Sequence, residues 1–152
     1  MNVDIPIWET LIRLTLAVVL GGLIGWEREH RGKPAGLRTN MMVSLGAATF
    51  TLMSVGMVPE SASTDPSRIV TGVATGIGFL GAGSIIKTGA TVSGITTAAG
   101  IWVVGSVGAA AGVGAYSVAT AATVVSLIVL FVFGKIETHA MDGDHDTKKA
   151  QR

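Results

Sequence analysis

The chain has 152 residues, of which 49% are hydrophobic and 14% charged, 21 are glycine, and the formal net charge is +1. Soluble domains carry about a quarter charged residues, so this balance points to lipid, and so small a net charge gives no reason to expect nucleic acid as a partner. The absence of cysteine excludes disulfides and thiolate metal sites.

The apolar runs predict an all-α fold, a polytopic membrane helix bundle of about five transmembrane helices. The first covers about Ile7 to Trp26, with Trp8 and Trp26 where interfacial aromatics sit. It opens on Asp4 and Glu9 rather than a basic stretch, so it reads as a retained span and not a signal peptide. The second runs from about Asn40 to Val58 and is ended by Pro59; the polar stretch from Pro59 to Ser67 reads as a loop. A third span fits Ile69 to Ile86. Between Lys87 and Lys135 there is no Asp, Glu, Lys or Arg. A crossing takes roughly 20 apolar residues, so this interval divides into a span from Gly94 to Ala111, a turn from Gly112 to Ala115 and a span from Tyr116 to Gly134. The expected organisation is a transmembrane bundle over residues 1–134 and a short cytoplasmic tail without fixed structure over residues 135–152.

Orientation follows from the basic residues. With five crossings, Arg28, Arg31, Lys33, Arg38, Lys87, Lys135, Lys148, Lys149 and Arg152 all fall on one side, leaving Arg68 at the other face and Arg13 inside the first span. The positive-inside rule then puts the N-terminus outside and the C-terminus in the cytoplasm.

Glycine in a helix costs about 1 kcal/mol relative to alanine, and in lipid the return is close approach of helices. Gly21 and Gly25, Gly72 and Gly76, and Gly108 and Gly112 are each four apart, which marks packing faces and self-association into a homo-oligomer. Gly76, Gly78 and Gly81, followed by Gly83, also match the dinucleotide pattern G-x-G-x-x-G. That motif needs a strand before it and an acidic residue about 20 positions on, and this one lies inside an apolar span. Helix packing, or a local break that exposes carbonyls, is the better reading.

Charge concentrates in GWEREHRGKPAGLRTN, Gly25 to Asn40. The plain reading is a loop that sets topology. The functional reading makes Glu27 a carboxylate bound to a cation or paired with one of Arg28, Arg31, Lys33 and Arg38, with Arg38 and Asn40 at the start of the second helix. Arg38, held by a helix, is the expected partner of Glu27. A second candidate group is Lys87 with Thr96 and Thr97, at the entry to the fourth span, where hydroxyls either bond back to their own helix or line a polar cavity. Glu9 and Arg13, four apart, form a candidate intramembrane pair. No nucleophile sits near a base, so an enzyme is not expected, no cofactor is implied, and no metal ligand set is defined.

Three stretches together resemble the membrane domain of the MgtC/SapB family: GGLIGWERE from Gly21 to Glu29, KPAGLRTNMMVSLGAA from Lys33 to Ala48, and GIGFLGAGSI followed by VSGITTAAGIWVVGSVG. The resemblance covers about Leu11 to Phe133. It implies a bacterial inner-membrane protein of about five helices with a role in magnesium or membrane-energy homeostasis, acting as a cation permeation or transport unit or as a non-transporting regulator of another membrane complex. In the MgtC branch the implied partner is the rotary ATP synthase. Members of that branch carry a folded cytoplasmic domain after the membrane part and often Asn near the positions of Thr91 and Thr96, whereas here only residues 135–152 follow the last span. The chain is therefore placed nearer the SapB side. As a test of the topology, cysteines introduced as Asp65→Cys and Lys148→Cys should label from opposite sides of the membrane, Asp65→Cys from outside; labelling of both from one side removes the five-span arrangement.

Overall fold

The computed structural model describes residues 5–57 and 67–149. Among them are five helices: α1 (Ile7–His30), α2 (Leu37–Met57), α3 (Ser67–Gly83), α4 (Ile95–Gly112) and α5 (Tyr116–Lys149). The fold is all-α. Two helices, α1 and α4, are long and apolar enough to cross a membrane, and Val70–Gly83 and Tyr116–Val132 are shorter apolar segments. Large apolar side chains stay exposed on every helix, among them Leu11, Val19, Phe50, Phe79, Trp102 and Val125. A soluble monomer rarely leaves apolar surface on that scale bare.

The expected spans lie within a few residues of the helices, with two differences. First, α1 continues past Trp26 to His30, so Glu27 and Arg28 belong to a helix rather than a loop. Second, α5 continues past Gly134 to Lys149, so the backbone of the expected tail is helical over that stretch. The expected loop from Pro59 to Pro66 and residues 150–152 lie outside the described residues.

The helices alternate in direction. Gly21 and Gly25 of α1 face Ser44 and Asn40 of α2, whereas Gly108 and Gly112 of α4 face Ser44 and Ala48 of α2, so α2 runs antiparallel to α1 and alongside α4 in the same sense. These glycines are the reason α2 fits between them. A Cβ on Gly21 would stand 2.6 Å from the Ser44 Cβ, one on Gly25 2.9 Å from the Leu37 Cα, and one on Gly112 2.7 Å from the Thr51 Oγ1. Ser44 uses the proximity to donate from its Oγ to the Ala17 carbonyl at 2.7 Å. The buried cluster at this junction is Ala17, Leu20, Ile24, Ala48, Val104, Val107, Ala111 and Ala119.

Gly81 lies close to α4 as well, 3.2 Å from the Ala98 carbonyl by the same measure. Gly76, Gly78 and Gly83 do not pack: an added Cβ at each meets nothing within 4 Å, and the same holds for Gly72. The expectation that these glycines pack helices together is corrected within this chain: α3 meets α4 through Ile77 and Gly81, and Gly72, Gly76, Gly78 and Gly83 lie off that contact. Gly76 to Gly83 are helical with no strand before them, which also removes the dinucleotide-loop pattern.

Between α3 and α4 the chain forms a hairpin instead of a plain turn. Strand β1 (Ile86–Thr88) pairs antiparallel with β2 (Thr91–Ser93), Lys87 opposite Val92, around Gly89 at φ 61°. Gly94, at φ 87°, then turns the chain into α4 against the backbone of Ser84. The contrast between glycines is testable: Gly108→Ala should cost about 1–3 kcal/mol by forcing apart two backbones, whereas Gly78→Ala should be neutral or gain up to about 1 kcal/mol of helix propensity. Thermal unfolding in one detergent measures both, and equal shifts would contradict the packing described.

Candidate functional site

The polar residues gather at the two ends of the bundle. At one end α1 brings Glu27, Arg28 and Arg31 to the start of α2 and α4. Glu27 is only 2% exposed and Arg28 is buried with it. The Glu27 carboxylate forms an ion pair with Arg31, one helical turn on, Oε1 to Nε at 2.5 Å. The pair is a close charge contact without the alignment of a hydrogen bond, and neither carboxylate oxygen accepts a hydrogen bond among the described residues. Arg28 turns the other way and donates from Nη2 to the Thr97 Oγ1 of α4 at 3.1 Å. Arg31 also lies over the Phe131 ring of α5, 5.4 Å from its centre. One turn of α1 thus holds α4 through Arg28 and α5 through Arg31, with the buried carboxylate between the two.

Arg38 does not join this group. It is exposed on the first turn of α2, because the buried face of α2 passes through Asn40, Ser44, Ala48 and Thr51, a periodicity that turns Arg38 outward. The sequence-based pairing of Glu27 with Arg38 is corrected to Glu27 with Arg31. Asn40 is structural, since its Nδ2 donates to the Ala35 and Gly36 carbonyls at 2.5 and 2.8 Å. That clamps a connection in which Ala35 sits at φ 57°, a backbone region costing roughly 1–2 kcal/mol for a residue with a Cβ. Glu29 finishes the corner by accepting a hydrogen bond from the Leu37 N–H at 2.7 Å, so an acidic side chain of α1 caps α2 where the helix dipole is positive. Lys33 is exposed in the corner, Lys87 is exposed on β1, and Thr96 is exposed beside the buried Thr97. Of the second candidate group, only Thr97 reaches the site.

At the opposite end Arg13 bridges two helices. Its Nη2 meets the Glu9 Oε1 at 2.5 Å and its Nη1 donates to the Gly112 carbonyl at 2.9 Å. A cation is favourable at a helix C-terminus, where carbonyls lack partners, so this pair ties α1 to the last turn of α4. Seven hydroxyls bond only within their own helix: Thr49, Thr51, Ser54, Thr75, Thr120, Thr123 and Ser126 donate to carbonyls three or four residues back.

No cluster of three or more His, Asp or Glu side chains able to hold a metal ion occurs among the described residues. Sequence reasoning counted Arg31 among the possible partners of Glu27 but preferred Arg38, because it ended the first helix at Trp26 and left Arg31 in a loop. The signal was present as Glu27 and Arg31 at i and i+4. The Arg28 to Thr97 contact had no local signal at all.

Comparison with known sequences decides the family: the MgtC family profile matches residues 14–139. The chain belongs to the MgtC family. Over 142 residues it is 40% identical to an Escherichia coli K12 protein named "Putative magnesium transporter YhiD", covering 90% of this chain and 66% of that protein. Protein MgtC of Brucella abortus strain 2308 is 46% identical over 124 residues, 82% of this chain and 51% of that one. Protein MgtC of Salmonella typhimurium strain 14028s is 44% identical over 117 residues, 77% and 49% of the two chains. The chain therefore spans between about half and two thirds of these relatives' length. No solved structure matches it significantly. Within this MgtC-family bundle the buried contact is open to a stability test: Thr97→Val takes away the oxygen that accepts from Arg28 Nη2 and should cost about 1–3 kcal/mol. Thr75→Val, at an exposed hydroxyl bonded only to its own helix, should leave the detergent melting curve unshifted; equal melts for the two variants would remove the contact.

Proposed function

We propose that this chain is a multi-pass inner-membrane protein of magnesium homeostasis, not an enzyme, and that it acts through the buried Glu27 carboxylate. The family and the printed name of the YhiD relative support the link to magnesium. Arg28, Arg31, Lys33, Arg38 and Lys87 gather at the Glu27 end of the bundle and Arg68 stands at the other, which supports a cytoplasmic Glu27 end and an external N-terminus.

The observation that carries the proposal is the burial of Glu27 with incomplete compensation. Withdrawing a carboxylate from water costs several kcal/mol, and one ion pair of modest alignment does not offset that cost through hydrogen bonds. A charge held this way is poor stabilisation and a good responder, since its energy changes steeply when a cation approaches or when Arg31 moves. Two arginines beside one carboxylate make a poor resident site for a divalent ion, so the cation competes with Arg31 for Glu27 rather than adding to a prebuilt cage.

Two modes follow. In the first, Glu27 lies on a permeation route for the ion. In the second, loss of the Glu27–Arg31 contact changes how the bundle meets another membrane protein. The second is favoured by the tight glycine contacts of α1 and α4 with α2, and by the glycines of α3 left open on the outside. Growth in low magnesium and magnesium flux in proteoliposomes, measured together, separate these modes. Glu27→Gln should abolish growth support while the protein reaches the membrane at normal amounts. Flux by the parent that is lost in Glu27→Gln identifies transport; growth that depends on Glu27 without any flux identifies regulation. Full activity of Glu27→Gln in both assays would remove Glu27 from the mechanism.

A further inference from the structure

A cavity lies away from the charged group, between α2 and α3. It has a volume of about 720 Å³, and its lining includes Gly46, Phe50, Arg68, Gly72, Gly76 and Leu80. Drug-sized ligands occupy pockets of roughly 300–1,000 Å³, so the space is ample for a molecule. Three of the lining residues, Gly46, Gly72 and Gly76, would meet nothing within 4 Å if given a Cβ. They hold the groove open; they do not draw the two helices together.

Chemistry and length both identify an occupant. All lining side chains are apolar except Arg68, which is exposed at the first turn of α3 and has no ion pair among the described residues. On α3 the groove runs from Arg68 to Leu80, on the order of 18 Å at 1.5 Å per residue. That is close to one leaflet of a hydrocarbon core about 30 Å thick. A groove of that length, apolar along its floor and cationic at one end, matches an acyl chain joined to an anionic headgroup.

We propose that this groove binds one anionic phospholipid, an acyl chain lying along Gly46, Gly72 and Gly76 and the headgroup phosphate on the Arg68 guanidinium. The lipid belongs to the leaflet at the Arg13 end of the bundle and fills the groove that remains beside the cluster of Ala47, Val43, Val73 and Ile77. A guanidinium matches phosphate in planar, two-point geometry, which distinguishes this site from the general lipid coat.

Native mass spectrometry of the detergent-purified protein, given phosphatidylglycerol or phosphatidylcholine in turn, tests the assignment. The parent should retain phosphatidylglycerol in preference. Arg68→Gln, an exposed change, should remove the preference while leaving weak binding of both lipids. Gly72→Leu, at a position with open space beside it, should fill the groove and lose the adduct with either lipid while the protein stays monodisperse. Equal retention of the two lipids by the parent, an undiminished preference in Arg68→Gln, or an undiminished adduct in Gly72→Leu would each overturn the proposal. So would a disulfide between two copies carrying Phe50→Cys with no lipid retained, which would give the groove to a second copy.

Discussion

In lipid, apolar side chains gain little by leaving one apolar neighbour for another, so helices hold together only where their backbones come close or their polar groups meet. In this chain that constraint falls on α2. It is flanked by Gly21 and Gly25 of α1 and by Gly108 and Gly112 of α4, and its own Ser44 and Thr51 stand where any larger neighbour would collide. Close approach multiplies dispersion contacts and lets Ser44 reach the Ala17 carbonyl across the interface. The rest of the bundle is arranged around this three-helix slab, with α3 and α5 added against α4.

The slab also determines where charge can be held. With α1 pressed to α2 and α4, its ends lie next to the start of one helix and the end of another. Arg13 finds the terminal carbonyl of α4 at one end, and Arg28 finds Thr97 on the first turn of α4 at the other. Glu29 caps α2 across the same corner. Two of these contacts, Arg13 to the Gly112 carbonyl and Glu29 to the Leu37 N–H, turn a helix terminus that lipid would otherwise leave with unsatisfied groups into an anchoring point for α1. Glu27 is the exception, since its one ion pair is with Arg31 at the end of its own helix and it anchors no other helix, and that asymmetry separates it from the structural charges around it.

The five helices and their order were legible in the sequence because hydropathy and turn residues report directly on which segments can enter lipid. The Glu9 and Arg13 pair was legible for a related reason: a spacing of four within one helix fixes proximity without knowledge of the fold. Contacts between helices were not. Arg28 and Thr97 are separated by 69 positions, and only the rotation of α1 against α4 brings them together. The same limit explains Arg38, whose position at a helix start was read correctly and whose direction depends on which face of α2 is buried. The hairpin between α3 and α4 was missed because strands of three residues carry too little alternation to stand out beside an apolar span.

Glycine spacing was the least reliable signal, and the reason bears on how the molecule works. Gly72 and Gly76 have the same four-residue spacing as Gly108 and Gly112, yet one pair faces empty space and the other a backbone. A glycine removes a side chain without specifying what takes the room. In α4 the room is taken by α2, and the result is a rigid slab. In α3 it is left to whatever the membrane supplies, so α3 is held mainly from its α4 side, by Gly81 at Ala98 and by Ile77 against Gly105. On its α2 side α3 makes one apolar cluster, Val73 and Ile77 with Val43 and Ala47, and beside that cluster the glycines leave a groove instead of a second seam.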